Sequence, residues 1–197
     1  MNIPVIYEDE WLLIADKPSG LLTVPTPKNE KRTLTSILNL YPCHRLDRET
    51  SGLIIYAKNK HIQQKVMDEF RARRVKKTYL AFVRGLPHRE EGEIKNRIEG
   101  LSAQTRYKVI EKRKDFAILE VNPLTGRTNQ IRIHLKQIGH PILGETKYAF
   151  RRDFKIRVKR LMLHACRLEF RHPATGKVLR LAGALPDGLR EFLNSHV

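Results

Sequence analysis

Residues 44–57 constrain this chain more than any other stretch. A short apolar run, Leu53-Ile54-Ile55-Tyr56-Ala57, follows a Thr50-Ser51-Gly52 turn. It reads as a buried strand, because aliphatic and aromatic residues are bounded by turn residues and the run is too short for a helix. Just ahead of the turn, Asp47 stands between Arg45 and Arg48. Opposite charge within about 4–6 Å lowers an aspartate pKa, so this carboxylate is expected to be ionised and held in place. That describes a nucleophile better than a general acid. An isolated Asp-Arg pair is more often a surface or structural ion pair, so the rest of the chain has to decide.

Further strand-like runs lie at 4–7, 11–15, 77–83, 103–110, 116–121, 162–170 and 177–181, and they outnumber the helices. Asn59 is placed to cap a helix over 60–73, where Ile62, Val66 and Phe70 recur at helical spacing. Thr128 is placed to cap a second over 129–138, with Ile131, Leu135 and Ile138 on one face. A last helix opens at Pro186-Asp187 and turns Leu189, Phe192 and Leu193 inward, and a shorter one is expected at 33–40. Strands interrupted by single helices, without regular βαβ alternation, predict an α+β fold with a largely antiparallel mixed sheet flanked by helices and loops. The segment 23–32, with Pro25 and Pro27, reads as a mobile polar loop, and 85–92, with glycine at both ends, as a turn between strands.

Lys plus Arg number 38 against 21 Asp plus Glu, a formal charge of +17. Such an excess calls for a polyanion as partner, because neutralising phosphates releases counterions. No run of about 18 apolar residues is present to span a bilayer, and the opening residues do not read as an export signal. A cytoplasmic protein that does not enter a membrane is the expectation. Cys43 and Cys166 cannot form a disulfide framework, and their spacing to the eight histidines supports no zinc site. Two buried, inert thiols are expected instead. Basic residues cluster at 71–77, at 112–114 and at 151–160, the last with six in ten positions. Any one run can be a solvated face, but so many on a small chain predict an extended phosphate-contacting surface.

Four segments, in order, resemble the RluA-type pseudouridine synthases. The first runs from Tyr7-Glu8-Asp9 to the Lys17-Pro18-Ser19-Gly20-Leu21 turn. The second is His44-Arg45-Leu46-Asp47 through Thr50-Ser51-Gly52-Leu53. The third is Lys77-Thr78-Tyr79-Leu80-Ala81. The fourth is Gly126-Arg127-Thr128-Asn129-Gln130-Ile131-Arg132, with Gly139-His140-Pro141-Ile142-Leu143-Gly144 behind it. The second and fourth are specific, and the resemblance covers nearly the whole chain.

The resemblance implies a pseudouridine synthase catalytic fold. It also implies an isomerase that breaks a uridine's N1–C1′ bond within RNA, turns the base and joins C5 to C1′. Because the product is an isomer, no cofactor or metal is expected. Asp47 matches the catalytic carboxylate; whether it adds to the sugar or removes a sugar proton stays open. Tyr79 matches the active-site tyrosine that packs on the target uracil, which suits a base taken out of its stack. Arg132 matches the basic residue that pairs with the catalytic carboxylate. Arg45 and Arg48 are candidate RNA contacts beside Asp47, with His44 as a hydrogen-bonded element of the turn that also adjoins RNA. Arg127 and Thr128 are candidate phosphate ligands, and Arg157 and Lys159 candidate backbone contacts. His134 and His140 are expected to be structural.

Asn129 stands where a histidine is common. Residues 1–197 are expected to form a single catalytic domain with no separate N-terminal RNA-binding domain, working as a monomer without an obligate protein partner. Recognition by the catalytic domain's own loops favours a compact stem-loop of ribosomal or transfer RNA. Two competing readings fare worse. A protein that only grips RNA would show an altered Asp47, Tyr79 or Arg132. A metal-dependent nuclease would want clustered carboxylates, such as paired aspartates, to hold divalent ions.

Within 151–160, Phe154, Ile156 and Val158 alternate with Lys155, Arg157 and Lys159, which gives one apolar and one charged side if the segment is extended. Changing Arg157 and Lys159 to Ala is expected to weaken all RNA substrates about equally. It should also flatten the log–log salt dependence of binding by about 0.7–0.9 for each phosphate no longer neutralised. Binding isotherms at several salt concentrations check this, and an unchanged slope would remove the segment from the RNA-binding surface.

Overall fold

The computed structural model describes residues 2–28, 30–150 and 154–196. In chain order it opens with β1 (Val5–Glu8), β2 (Leu12–Lys17), α1 (Leu34–Leu38), β3 (Tyr41–Pro42), β4 (Ser51–Ala57) and α2 (Lys60–Arg71). There follow β5 (Lys76–Arg84), β6 (Glu91–Ile94), β7 (Thr105–Lys112), β8 (Phe116–Pro123) and α3 (Gln130–Gln137). The chain closes with β9 (Leu163–Arg171), β10 (Val178–Ala182) and α4 (Asp187–Ser195). The strands outnumber the helices and the fold is α+β, as the sequence predicts. Two compact units share the chain: residues 1–77 with 165–184, and residues 78–164 with 185–197.

In the first unit the strand order is β1-β2-β4-β9, with β10 on β9 and β3 on the end of β4. The β1–β2, β2–β4, β3–β4 and β9–β10 pairs are antiparallel. All seven residues of β4 are buried, which is why its sequence reads as a continuous apolar run rather than an alternation. Asn59 caps α2 by accepting from the Ile62 N–H at 2.9 Å. Ile62 and Val66 then pack against Leu12, Ile14, Leu53, Ile55, Ala57 and Phe170, with Phe70 partly buried at the margin. Burying each such aliphatic side chain stabilises the unit by about 1.5–3 kcal/mol.

In the second unit β5, β8, β7 and β6 lie side by side in that order, all antiparallel. Phe82, Phe116 and Phe192 meet with ring centroids 5.2–6.4 Å apart. Phe192 and Leu189 of α4 are buried, whereas Leu193 is half-buried rather than turned fully inward.

Two local expectations need correction. Thr128 does not cap α3: the N-cap is Asn129, in the left-handed region at φ 54°, with no side-chain capping bond. Asparagine tolerates that conformation, so the chain can turn into the helix one residue later than the threonine suggests. Gly92 belongs to β6 and not to a turn. It lies so close under the Tyr107 ring that a Cβ there would come within 2.8 Å of it, so the glycine marks a close approach rather than a bend. Within 23–32, read from the sequence as a mobile polar loop, Thr23 is 2 % exposed and Thr26 donates to Glu30 at 2.6 Å, while residue 29 lies outside the described residues. Strands β3 and β6 escape the sequence because two and four residues carry too little pattern.

Gly52 joins the turn after Asp47 to β4. Its φ is +121°, and a Cβ would lie 2.3 Å from the Ala165 carbonyl oxygen. Strain and overlap with backbone both oppose any side chain. Gly52→Ala is expected to lower unfolding free energy by at least ~2 kcal/mol. Gly126→Ala, at a position with nothing within 4 Å of the added carbon, should change it little. Urea unfolding of both variants checks this, and equal midpoints would refute the close-approach account.

Candidate active site

The loop bearing Asp47 is fixed through its backbone. Lys17, at the end of β2, is 0 % exposed, yet its ammonium donates to the carbonyls of Pro18 at 2.9 Å, Leu21 at 2.7 Å and Arg48 at 3.2 Å. A buried ammonium is tolerated only with its donors satisfied. Here those bonds tie the 17–21 turn to the residue following Asp47. Gly20 N–H donates to the same Arg48 carbonyl at 2.8 Å, and Ser19 Oγ donates to the Glu49 carbonyl at 2.6 Å. On the other side, Thr23 Oγ1 accepts from the Leu46 N–H at 3.1 Å and donates to the Leu46 carbonyl at 3.0 Å. Thr50 N–H closes the turn onto the Asp47 carbonyl at 3.2 Å. Asp47 itself is half-buried.

His44 serves the fold. Its Nε2 accepts from the Ile55 N–H at 3.0 Å, and its ring lies 4.8 Å from that of Phe70. Burial, helped by the Lys77 charge, pushes its pKa down to about 3. The imidazole is therefore neutral, with Nε2 committed to β4 and not offered to RNA. Lys77 stands 5.7 Å over the Phe70 ring, and burial holds its amine below the usual lysine range. Arg45 and Arg48 are exposed; Arg48 reaches Glu30 at 2.7 Å. Cys43 is buried, and burial raises its thiol to about 12. Cys166 is also buried and carries no disulfide.

In the second unit Tyr79 lies on β5 opposite Val121 of β8 and is 8 % exposed. The loop before α3 is held by Gln130, whose amide is used on both sides. Its Oε1 accepts from Thr125 Oγ1 and the Arg127 N–H, while its Nε2 donates to the Gln104 carbonyl and Thr105 Oγ1. This leaves Arg127 and Thr128 at the surface, with the Arg127 Nε donating to the Ser102 carbonyl at 3.1 Å. His134 bonds Thr105 and the Asn96 carbonyl, and His140 the Arg84 carbonyl. Both act as structural links.

Arg132 is embedded. Its Nε and Nη2 donate to Glu145 at 2.7 and 2.8 Å, its Nη1 to Asn129 Oδ1 at 3.1 Å, and the guanidinium stands 5.6 Å over the Tyr148 ring. Glu145 also accepts from the N–H groups of Thr146, Lys147 and Tyr148. Burial pushes the Glu145 carboxyl up, but the Arg132 bonds and charge and these amides outweigh it and hold it below the usual range. Removing either partner of such a buried pair costs about 3–5 kcal/mol. Glu145 escapes the sequence reading. The only signal is its place directly after Gly144, where a Cβ would come within 2.1 Å of the Arg160 carbonyl oxygen.

Among the described residues no group of three or more His, Cys, Asp or Glu could hold a metal ion. No described helix is long and apolar enough to cross a membrane.

Residues 11–137 match the family model described as RNA pseudouridylate synthase. The chain is 38 % identical over 194 residues to the dual-specificity RNA pseudouridine synthase RluA of Yersinia pestis, covering 87 % of this chain and 94 % of that one. It is 32 % identical over 216 residues to the ribosomal large subunit pseudouridine synthase C of the same organism, covering 96 % and 68 %. The solved structure of human RNA pseudouridylate synthase domain containing 4 superposes with a TM-score of 0.84 at 26 % identity, covering 96 % of this chain and 91 % of that one.

The His44 environment sets a pH dependence. Its folded pKa lies below that of the unfolded chain, so the unfolded state binds the extra proton in the window between. Stability from this group is present above pH ~6.5 and is lost as pH falls toward 3. The slope this residue contributes is at most ~1.4 kcal/mol per pH unit, less where solvent screens it. His44→Gln retains an acceptor for the Ile55 N–H, and it should flatten the fall in unfolding free energy between pH 6 and about 4. Parallel pH profiles for parent and variant would show that His44 is not buried neutral.

Proposed function

The chain belongs to the RNA pseudouridine synthase family, a family of isomerases, and from that premise we propose that it converts a specific uridine of structured RNA to pseudouridine with Asp47 as the catalytic carboxylate. The observation that carries the reading is the Asp47 loop, whose residues on both sides of the carboxylate are hydrogen-bonded to the 17–23 segment. A carboxylate that must meet one sugar carbon needs a fixed origin, because reacting groups have to sit within about 3–3.5 Å and aligned.

In this reading the target base leaves its stack, Tyr79 packs on the uracil, and Arg132 supplies the cation that pairs with the reacting carboxylate. Arg45, Arg48, Arg127, Thr128, Arg157 and Lys159 contact the RNA backbone. Their exposure supports that role, and Arg48 has to exchange Glu30 for a phosphate. His44 contributes by holding the loop. The substrate in this reading is a compact stem-loop of ribosomal or transfer RNA, met in the cytoplasm; one relative's name, ribosomal large subunit pseudouridine synthase C, supports the ribosomal choice.

Asp47→Asn keeps the shape and removes the charge. It is expected to abolish pseudouridine formation while RNA affinity persists, as read by nucleoside analysis of the product and by filter binding. Turnover within about tenfold of the parent would remove Asp47 from the catalytic role, since loss of a reacting group costs far more.

A further inference from the structure

The Arg132 guanidinium has two edges at which it can grip an anion with two parallel N–H bonds, one made by Nε with Nη2 and one by Nη1 with Nη2. Glu145 occupies the first with both oxygens, at 2.7 and 2.8 Å. Asn129 Oδ1 takes an Nη1 hydrogen at 3.1 Å. Neither acceptor is loose. Glu145 has a side chain that is 0 % exposed and takes three backbone N–H bonds from the chain that follows it. The Asn129 amide is turned by its own bond, Nδ2 donating to the Tyr148 hydroxyl at 2.8 Å. Tyr148 also presents its ring to the guanidinium. Glu145, Asn129 and Tyr148 thus set the plane and roll of Arg132, and with Nε and Nη2 committed to Glu145 an anion gripped by two parallel N–H bonds uses the Nη1–Nη2 edge.

We propose that Glu145 is a positioning residue for the reaction: by taking the Nε–Nη2 edge, with Asn129 and Tyr148 steadying the plane, it fixes which edge of Arg132 is presented to the reacting anion. The inference rests on the function proposed above and adds a residue to it. A carboxylate placed only to neutralise Arg132 would not need both oxygens on one edge and three backbone amides on one of those oxygens. That arrangement stops the pair from rolling as a unit. The position held by Asn129 fits the same purpose, because its left-handed backbone conformation starts α3 where its amide can bridge Tyr148 and Arg132.

The test uses the full chain and an RNA transcript on which the parent forms pseudouridine. In single-turnover reactions at saturating RNA, Glu145→Gln should slow the chemical step by about 100-fold, the scale of a roughly 1 Å misplacement. Its dissociation constant for the same RNA should stay within about threefold of the parent. The second arm is chemical rescue. Arg132→Ala should be inactive and regain at least about tenfold in rate when guanidinium is added at non-denaturing concentration, because Glu145 is there to orient the ion. The Arg132→Ala/Glu145→Gln protein, in which no buried charge is left unpaired, should show no such rescue. This arm carries the decision if Glu145→Gln alone does not fold.

A Glu145→Gln rate within about threefold of the parent, a rate loss matched by an equal loss of RNA affinity, or equal rescue in the presence and absence of Glu145 would each overturn the inference. A parent that forms no pseudouridine in any ribosomal or transfer RNA transcript defeats the proposed function itself, which keeps the two failures apart.

Discussion

The buried Lys17 ammonium is the interaction on which the Asp47 loop depends. An ammonium removed from water is costly unless all its donors are engaged, and this one is engaged by carbonyls of Pro18, Leu21 and Arg48. Because these come from two turns far apart in sequence, satisfying one charge docks one turn onto the other. The Ser19–Glu49 and Gly20–Arg48 bonds then follow at little further entropic cost. Gly52 completes the arrangement from the strand side, where only a residue without a Cβ lets β4 approach the Ala165 backbone. The first and second sequence motifs are therefore one structural object.

The second unit reaches the same end differently. Where the first unit holds a carboxylate by its backbone, the second holds a guanidinium by its side chain. Arg132 is enclosed by Glu145, Asn129 and Tyr148. The loop ahead of it is held by Gln130, which uses its whole amide internally. Rigidity of this kind is what preorganised electrostatic catalysis requires, since groups that are already aligned need not reorganise during reaction.

The net charge of +17 is unevenly available to a polyanion. In the 71–77 cluster Arg71 pairs with Asp68, Arg74 with Glu69 and Lys76 with Glu169, each at 2.6–2.7 Å. In the 112–114 cluster Lys112 pairs with Glu90 and Arg113 with Glu111. Such exposed pairs add little stability, but a paired cation has less to gain from a phosphate. Arg157 and Lys159 are exposed and have no ion-pair partner among the described residues. Phe154 beside them is buried, so the alternation of this segment survives without a strand. Arg151 and Arg152 lie outside the described residues. Periodicity made α2, α4 and most strands legible, because long apolar patterns state their own burial, as Ile62, Val66 and the whole of β4 do. Motif resemblance singled out Asp47, Tyr79 and Arg132. What stayed hidden was the set of residues that hold them. Lys17, Thr23, Gln130 and Glu145 are polar residues buried by tertiary contacts, and no local spacing announces a partner far along the chain. The start of α3 is hidden for a related reason: a left-handed Asn129 is selected by its links to Tyr148 and Arg132, not by capping propensity.

The central claim, that this chain isomerises uridine in RNA, predicts that C5 loses its hydrogen when it is joined to C1′. Ribosomal and transfer RNA transcripts carrying tritium at uridine C5 would release that tritium to water on incubation with the protein. Release should persist in excess chelator, with the RNA chain left uncut. No release from any transcript, or release that fails in chelator and accompanies strand cleavage, would contradict the account.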